Sequence, residues 1–466
     1  MHAPTPRLSF AAGTLLLEQA HAAAVRKAFG ELPWVWDRRA SGWRIDALEY
    51  TAVRERAERC RLAIEDGVPQ WHAIAWPKVD LHALRPEQQD AVAAWNQTRR
   101  ALIVMPTGTG KTEVALAIMH QTAVSTLIVA PVRDLMYQWQ RRIHERLGYD
   151  AGIIGDNVFR VRPVSVTTYD SACIHMERLG DRFGLIVFDE CHHLPGPIRR
   201  DASRMCAAPW RLGLTATPER SDGRHVDLAT LIGPTAYEMP MAAARGATLA
   251  DYEVVRIPIH LSPEEQARYD SLSRQVRSYM IERRKTEPRF SWEELCGDSG
   301  QDPAARRTLR AYHAKQSIED RAEEKLRVLE DLFRLHAGSP IIIFAGSNAM
   351  ARDVSRRFLV PCLLNHCGKR ERAEVLAGLE SGVYPALAAN QVLDEGVDLP
   401  AVKVAIVIGG TASTKQAKQR LGRILRKSGN ARATLYEIVC ADTNEERRSR
   451  RRRESDAYQG TRHRRI

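Results

Sequence analysis

A glycine-rich segment, MPTGTGKT at residues 105–112, follows the apolar run ALIV and precedes an amphipathic stretch. This order is typical of a loop whose backbone N–H groups, together with the N-terminus of the next helix, bind phosphate. In such a loop the Lys111 ammonium would contact the β and γ phosphates of ATP, and the Thr112 hydroxyl would ligate magnesium. Phosphate-binding loops usually begin with glycine, whereas this one begins with Met105, so an ordinary glycine-rich turn is the alternative. The predicted phosphate-binding residues are Pro106, Thr107, Gly108, Thr109, Gly110, Lys111 and Thr112.

Two adjacent acids, Asp189 and Glu190, end a second apolar run, LIVF. Carboxylates at the end of a buried strand are unfavourable without a partner, and a metal ion is a natural partner. We expect Asp189 to bind the magnesium ion held by Thr112, and Glu190 to act as the general base that polarises the attacking water. An acidic strand end without chemistry is the alternative, and the position of the pair downstream of Lys111 argues against it.

A third segment, QRLGRILR at residues 419–426, places arginines at three-residue steps on one helix face. A solvated basic helix is the simpler interpretation. Phosphoryl transfer, however, needs cations that stabilise the charge on the departing phosphate. We therefore predict that Gln419, Arg423 and Arg426 complete the ATP site, with the arginines supplied across a cleft.

Two series of apolar runs, each typical of buried parallel strands separated by helices, lie along the chain. The first is ALIVM, STLIVAP, PVSVTTY, FGLIVFDE and RLGLTAT, and the second is RIPIHL, SPIIIFAGS, PALAANQVL, VKVAIVIGG and TLYEIV. They predict two α/β lobes. Before them, an alternating run from Arg7 to Glu18 and a tryptophan-rich stretch predict a small α+β module. Between two strands of the second series, the charged residues 262–334 predict a helical insertion.

The composition is that of a globular chain of more than one domain, with 466 residues, 44% hydrophobic and 27% charged. No apolar run is long enough to span a bilayer, and the N-terminus lacks a secretion signal, so we expect no membrane association and a cytoplasmic location.

The eight scattered cysteines are expected to be reduced thiols. The net charge of +12 favours a polyanionic partner. Residues 445–466 hold nine arginines and are predicted to be either a disordered arm that binds nucleic acid or a solubilising end.

The motifs, in order and spacing, resemble those of superfamily 2 helicases. The resemblance implies that the segment RPEQ reads adenine and that the segments APVRDLMYQW and SVTTYDSA contact a nucleic-acid strand. It also implies that the TAT motif couples hydrolysis to lobe movement, with QVLDEGVD as its second-lobe counterpart. The residues assigned in this way are Arg85, Gln88, Thr168, Thr215, Thr217, Arg220, Asp222, Asp394 and Gly396.

Within that superfamily the strings FDECHHLP, RLGLTATPERSDGRH and VLDEGVDLP resemble the XPB-type DNA repair helicases, especially the short archaeal form. The resemblance implies an α/β fold of two RecA-like P-loop lobes with a small N-terminal α+β domain and a helical thumb-like insertion. The implied boundaries are 1–78 for a DNA-recognition domain, 79–243 and 244–440 for the lobes, about 262–334 for the thumb, and 441–466 for a basic tail. ATP-dependent DNA unwinding or translocation with 3′ to 5′ polarity is implied as well, on single-stranded or forked DNA and in repair.

One segment departs from the family pattern. The family carries Arg-Glu-Asp after its TAT motif, whereas this chain has Arg220, Ser221 and Asp222, with Glu219 as the nearest substitute acid. The departure puts a strand-separating role in doubt and leaves the ATPase untouched.

Three other functions stay open at this level. The chain could be the motor of a restriction or phage-defence complex, whose nuclease a partner chain must supply, or an RNA-directed helicase. A nucleic-acid-binding scaffold with a dead ATPase is opposed by the intact Lys111 and Glu190.

The tryptophans Trp34, Trp36 and Trp43 could stack on bases, but a small core is the favoured interpretation.

Overall fold

The computed structural model describes residues 5–220, 222–244, 252–364, 366–390, 402–409, 433–453 and 464–465. The chain divides into two compact units, Met1–Pro240 and Met241–Ile466. Several predicted site residues lie outside the described residues, namely Asp394, Gly396, Gln419, Arg423 and Arg426, as does Ser221 of the departure from the family pattern. Among the helices of the described residues, none is long and apolar enough to cross a membrane.

The first unit begins with a five-stranded sheet in the order β3-β4-β2-β1-β5, packed against two helices. Its strands are β1 (Arg7–Ala11), β2 (Thr14–Glu18), β3 (Val35–Asp37), β4 (Gly42–Asp46) and β5 (Glu65–Asp66), and its helices are α1 (Ala22–Phe29) and α2 (Tyr50–Arg59). The alternating run predicted from the sequence forms the antiparallel hairpin β1–β2. Leu8, Leu15 and Leu17 of this hairpin are fully buried, because alternate residues of a strand face the same side of the sheet.

The three N-terminal tryptophans have two different environments. Trp34 and Trp43 pack against the small core of this sheet, as predicted. Trp36 does not, since 45% of its surface is exposed and its ring meets the Trp43 ring edge-on at 5.3 Å between centroids. The core interpretation is therefore confirmed for two of the three residues.

The larger part of the first unit is an eight-stranded sheet in the order β13-β6-β12-β11-β7-β10-β8-β9. Its strands are β6 (Arg100–Val104), β7 (Thr126–Ala130), β8 (Gly152–Gly155), β9 (Val158–Arg160), β10 (Val164–Thr168), β11 (Leu185–Asp189), β12 (Trp210–Thr215) and β13 (Thr235–Glu238). The helices are α3 (Pro86–Thr98), α4 (Lys111–Thr122), α5 (Arg133–Leu147), α6 (Tyr169–Leu179), α7 (Asp201–Arg204) and α8 (Asp227–Leu231), with 3-10 turns at Cys191–His193 and Arg224–Val226. A further 3-10 turn, Ala47–Glu49, precedes α2.

The five runs predicted as strands of the first lobe are β6, β7, β10, β11 and β12, and they pair in parallel. Parallel strands all end at the same edge of a sheet, so the segments that follow them meet there. This edge carries the predicted phosphate loop after β6 and the paired acids at the end of β11.

The second unit holds the second α/β lobe, with a seven-stranded sheet among its described residues in the order β16-β17-β15-β18-β19-β14-β20. The strands are β14 (Tyr252–Ile259), β15 (Ile341–Phe344), β16 (Cys362–Leu363), β17 (Ala386–Ala389), β18 (Val404–Val407), β19 (Ala433–Cys440) and β20 (Arg464–Arg465). The helices are α9 (Met241–Ala244), α10 (Pro263–Thr286), α11 (Trp292–Asp298), α12 (Pro303–Arg321), α13 (Glu323–Leu335), α14 (Asn348–Phe358), α15 (Lys369–Glu380) and α16 (Asn444–Arg453).

The helical insertion predicted at 262–334 corresponds to α10–α13. Helices α10–α12 have a small core of their own around Phe290, Leu295 and Ala305. Helix α13 contributes Leu329 and Leu332 to the main core of the lobe, and Tyr269 of α10 also belongs to that core. The α/β fold class predicted from the sequence is confirmed by the two parallel-stranded sheets.

Of the two interpretations of residues 445–466, the disordered arm is wrong for the first part of that segment, which is helical. Helix α16 begins at Asn444, and its Glu445 and Ser449 are fully buried. The Glu445 carboxylate accepts hydrogen bonds from Lys325 Nζ at 2.8 Å and from the Cys440 N–H at 2.9 Å, and Lys325 is itself fully buried. One face of an arginine-rich helix is thus docked through acidic and small residues at helical spacing.

The same helix contacts the root of the insertion. The buried Glu319 carboxylate of α12 accepts hydrogen bonds from Tyr269 Oη of α10 at 2.9 Å and from the Asn444 N–H of α16 at 3.1 Å, and it also pairs with Arg448. A truncation from residue 445 would therefore remove partners of buried charges as well as surface arginines.

We predict that Lys325→Met lowers the unfolding free energy of the second unit by about 3–5 kcal/mol, because it leaves the Glu445 carboxylate buried without its cation. The double variant Lys325→Met/Glu445→Gln should recover more than half of that loss, since the neutral amide still accepts from Cys440. Hydrogen exchange of peptides covering 323–335 and 433–440 measures the change in the right region of the chain.

Lys285→Met is the matched control, because Lys285 pairs with Glu282 at 2.8 Å while both side chains are more than 60% exposed. Such a surface pair is worth roughly 0–1 kcal/mol. Equal protection in the Lys325 and Lys285 variants would contradict the assigned role of the buried pair.

Candidate nucleotide-binding site

The predicted phosphate loop connects β6 to α4, and its two glycines have left-handed backbone conformations, with φ of +87° at Gly108 and +81° at Gly110. Residues with a Cβ rarely adopt such angles, which explains glycine at both positions. A Cβ at Gly110 would also collide with the side-chain amide of Gln88. Helix α4 begins directly after this turn, at Lys111, so its first free N–H groups face the loop.

Met105, the departure from the usual glycine, has a structural explanation. Its side chain is fully buried and its N–H donates to the Thr215 carbonyl at 3.0 Å, which continues the pairing of β6 with β12. Its φ is not positive, so this position does not need glycine.

The Lys111 ammonium folds back along the loop and donates to the Met105 carbonyl at 3.1 Å. Thr109 is buried, and its hydroxyl donates to the Pro106 carbonyl at 2.7 Å. The loop is thus shaped by its own hydrogen bonds. Contact of Lys111 with nucleotide phosphates stays a prediction.

Arg85 and Gln88, which the family resemblance assigns to adenine, both contact the phosphate loop. The Gln88 amide donates to the Thr109 carbonyl at 3.0 Å, and its oxygen accepts from the Arg85 N–H at 2.9 Å. The Arg85 guanidinium also donates to the Thr109 carbonyl. Adenine recognition by these residues stays a prediction. Their observed contacts fix the backbone of the loop.

Asp189 ends strand β11 at the same sheet edge. Its Oδ1 accepts from the Glu190 N–H at 3.0 Å, and its Oδ2 accepts from the indole Nε1–H of Trp139 at 2.9 Å. Burial, together with the neighbouring Glu190 carboxylate, raises the pKa of Asp189 to about 6, against the lowering effect of the Trp139 hydrogen bond and the Lys111 charge.

Glu190 has a left-handed backbone conformation, with φ of +47°. This region is rare for residues other than glycine, and such strain clusters at functional sites. Its Oε2 is buried without a hydrogen-bond partner among the described residues, and His192 Nδ1 lies 3.4 Å from it. The structure therefore holds a buried carboxylate oxygen without a hydrogen bond directly after β11, at an energetic cost. The role of Glu190 as a general base stays a prediction.

A magnesium ion suits the residues at this edge. Mg²⁺ prefers oxygen ligands, and in nucleotide sites it usually binds one or two carboxylates together with phosphate oxygens. The Thr112 hydroxyl follows the glycine turn, and the Asp189 carboxylate stands where the Lys111 charge acts on it. The adjacent Glu190 carboxylate adds to the negative charge that a cation would offset.

The paired acids are connected to the TAT motif and to the Arg-Ser-Asp segment. His192 Nδ1 lies 2.9 Å from the Thr215 hydroxyl, which also accepts from the Thr217 N–H at 3.1 Å. Arg220 donates to the His192 carbonyl at 2.7 Å and forms two hydrogen bonds to Asp222. The Arg220 guanidinium holds the pKa of Asp222 well below its usual range. The two outer residues of the Arg-Ser-Asp segment are thus paired with each other.

Thr168 ends β10 and caps helix α6. Its hydroxyl accepts from the Ser171 N–H at 3.3 Å, and only 9% of the residue is exposed. A phosphate contact for Thr168 stays a prediction, with the hydroxyl already engaged in the helix cap.

Two residues at this site were missed by the sequence reasoning, Trp139 and Tyr169. Tyr169 donates its hydroxyl hydrogen to the Asp189 carbonyl at 2.9 Å and is fully buried. Both residues lie inside segments that had been assigned to nucleic-acid contact. A buried indole or phenol needs a hydrogen-bond partner, and the strand-end acids were available as one.

Three protein-family models match parts of the chain. Residues 8–68 match the model of the Xeroderma pigmentosum group B helicase damage recognition domain. Residues 81–220 match that of the type III restriction enzyme res subunit, and residues 324–428 that of the helicase conserved C-terminal domain.

The DNA 3′-5′ translocase XPB2 of Sulfurisphaera tokodaii is 38% identical over 421 residues, which cover 90% of this chain and 95% of that protein. The DNA 3′-5′ helicase XPB of Kineococcus radiotolerans is 30% identical over 84% of this chain and 65% of its own length. The chain belongs to the XPB-type family of superfamily 2 helicases.

Among solved structures, the helicase domain of Pyrococcus furiosus Hef has a TM-score of 0.51 at 18% identity, covering 78% of this chain and 97% of that one. At this identity the likeness shows the fold alone. The restriction enzyme model matches the first lobe only. The damage recognition model matches the N-terminal domain, and the similarity to the Sulfurisphaera tokodaii translocase covers 90% of this chain. These matches favour the XPB-type interpretation over a restriction motor.

We predict that Gln88→Ala weakens ADP binding about 10-fold, because two hydrogen bonds that shape the phosphate loop, each worth roughly 0.5–1.5 kcal/mol, are lost. Titration with a fluorescent ADP analogue measures the affinity. Gln89→Ala is the control, since Gln89 is exposed and donates to the Leu84 carbonyl outside the loop. Equal affinities in the two variants would show that Gln88 does not support the loop.

Proposed function

We propose that this protein is an ATP-dependent DNA helicase or translocase that moves with 3′ to 5′ polarity. The proposal is carried by one observation above all, the similarity along 90% of the chain to a protein named a DNA 3′-5′ translocase. The positions of the phosphate loop, the paired acids and the TAT motif at one sheet edge support it.

In the proposed reaction Lys111 leaves the Met105 carbonyl and binds the β and γ phosphates. Thr112 and Asp189 would hold Mg²⁺, which neutralises phosphate charge when bound. The Glu190 carboxylate orients the attacking water and takes up its proton. Gln419, Arg423 and Arg426, outside the described residues, are proposed to stabilise the departing phosphate.

The coupling of hydrolysis to DNA is proposed to run through the hydrogen bonds that surround the acids. A movement of Glu190 would shift the adjacent His192. The His192 ring contacts the Thr215 hydroxyl, and the His192 carbonyl accepts a hydrogen bond from Arg220, so both contacts would change. Asp394 and Gly396 are proposed as the second-lobe counterpart of this path. Thr168 and the N-terminus of α6 are proposed as contacts for the DNA backbone.

The proposed setting is DNA repair, since residues 8–68 match a damage recognition domain. We further propose single-stranded or forked DNA as the substrate and a protein partner, such as a nuclease, that uses the opened strand. The cytoplasmic location stays a prediction.

We predict that ATP turnover is stimulated by single-stranded and forked DNA, and that Glu190→Gln lowers the stimulated rate at least about 100-fold, the lower range for loss of a general base. Steady-state phosphate release, with and without each nucleic acid, measures both effects. Glu177→Gln, a change of an exposed acid on α6, is the control and should keep the wild-type rate.

Stimulation by RNA alone would replace DNA with RNA in the proposal. A wild-type rate in the Glu190 variant, with nucleotide binding intact, would remove the assignment of the general base.

Polarity makes a further prediction. The protein should displace streptavidin from a biotin at the 5′ end of a single strand far faster than from one at the 3′ end, because a 3′ to 5′ motor runs toward the 5′ end. Gel analysis of freed strands measures the two rates, and faster displacement at the 3′ end would reverse the proposed polarity.

A further inference from the structure

The Asp189 carboxylate is held by a side chain that comes from a distant part of the sequence. Trp139 lies on α5, fifty residues earlier, and donates its indole N–H to Asp189 Oδ2 at 2.9 Å. Only 3% of Trp139 is exposed. Because the Glu190 N–H occupies the other oxygen, the carboxylate has one orientation and keeps its remaining lone pairs for a cation.

The backbone of Asp189 is held as well. Tyr169, the first residue of α6, donates to the Asp189 carbonyl at 2.9 Å and is fully buried beside the Phe188 ring. Two helices that follow different strands therefore contact Asp189. Helix α5 contacts its side chain through Trp139, and helix α6 contacts its main chain through Tyr169.

A buried tryptophan needs a partner for its N–H, and a main-chain carbonyl is the ordinary solution. Trp95 of the same unit shows that solution, donating to the Arg211 carbonyl at 2.8 Å. Trp139 instead donates to the carboxylate assigned to magnesium. A hydrogen bond to a charged group is stronger than one to a neutral group, and residues that orient a metal ligand usually affect metal affinity 10- to 100-fold.

We propose that Trp139 and Tyr169 are positioning residues that orient Asp189 for Mg²⁺-nucleotide and connect it to the DNA-facing ends of α5 and α6. The first half of this statement concerns the magnesium site alone. The second half rests on the proposed DNA motor function, because α5 and α6 carry the segments assigned to strand contact.

The first experiment measures how Mg²⁺ tightens the binding of a fluorescent ADP analogue, in the full-length protein without DNA. Trp139→Phe should raise the Mg²⁺ concentration for half-maximal tightening about 10-fold, leaving ADP affinity without Mg²⁺ unchanged. Tyr169→Phe, which keeps the buried ring, should raise it in the same direction by a smaller factor.

Two control variants test whether the loss of any buried hydrogen bond would change the Mg²⁺ dependence, or only the loss of one that orients Asp189. Trp95→Phe removes the indole of the same unit that bonds to the Arg211 carbonyl. Tyr50→Phe removes a hydroxyl that donates to Asp66 Oδ2 at 2.7 Å in the N-terminal sheet. Both should keep the wild-type Mg²⁺ dependence. If the Trp139 variant fails to fold, Tyr169→Phe alone decides, and Mg²⁺ dependence equal to that of the controls overturns the proposal.

The second experiment measures ATP turnover with and without single-stranded DNA at saturating Mg²⁺. The factor of stimulation should fall in the Trp139 and Tyr169 variants and stay unchanged in both controls. If the stimulation factor is unchanged while the Mg²⁺ requirement rises, the connection to DNA is wrong and the magnesium role stands. If DNA does not stimulate even the wild type, the proposed motor function fails, whereas the Mg²⁺ titration still tests the positioning role by itself.

Discussion

Two adjacent carboxylates at the end of a buried strand are the constraint on which the first unit depends. Partial burial and the adjacent Glu190 carboxylate both raise the pKa of Asp189, to about 6. The sheet order answers this constraint, because β11 lies between β7 and β12. Helix α5 follows β7 and supplies Trp139, while the phosphate loop supplies the opposing charge of Lys111.

The second unit solves the same problem by pairing charges directly. Lys325 and Glu445 are buried against each other, and Glu319 is buried among Tyr269, Asn444 and Arg448. Buried ion pairs add little net stability compared with apolar packing, but breaking one is costly. They therefore fix the root of the helical insertion to the C-terminal helix and specify its geometry.

The parts of the structure that could be predicted from the sequence are those set by local pattern. Apolar runs followed by glycines or by acidic residues predicted the strands, the phosphate loop and the paired acids. These patterns can be recognised in a short stretch of sequence, because they do not depend on contacts with distant residues. The bond from Trp139 to Asp189 joins residues fifty positions apart and depends on the strand order. The many arginines of residues 445–466 led to the prediction of a disordered or solubilising end. The contacts of that segment are instead made by Glu445 and Arg448, which pair with Lys325 and Glu319. Arg423 and Arg426 stay predictions.

The central claim is that the magnesium side of the ATP site is built before nucleotide arrives, and that Lys111 is the group that must move. A crystal structure with Mg²⁺ and a non-hydrolysable ATP analogue tests it most directly. We expect the distance from Trp139 Nε1 to Asp189 Oδ2 to stay near 2.9 Å, while Lys111 Nζ moves beyond hydrogen-bonding distance of the Met105 carbonyl and onto the phosphates. A broken Trp139 hydrogen bond, or Lys111 still on Met105 with nucleotide bound, would contradict the account.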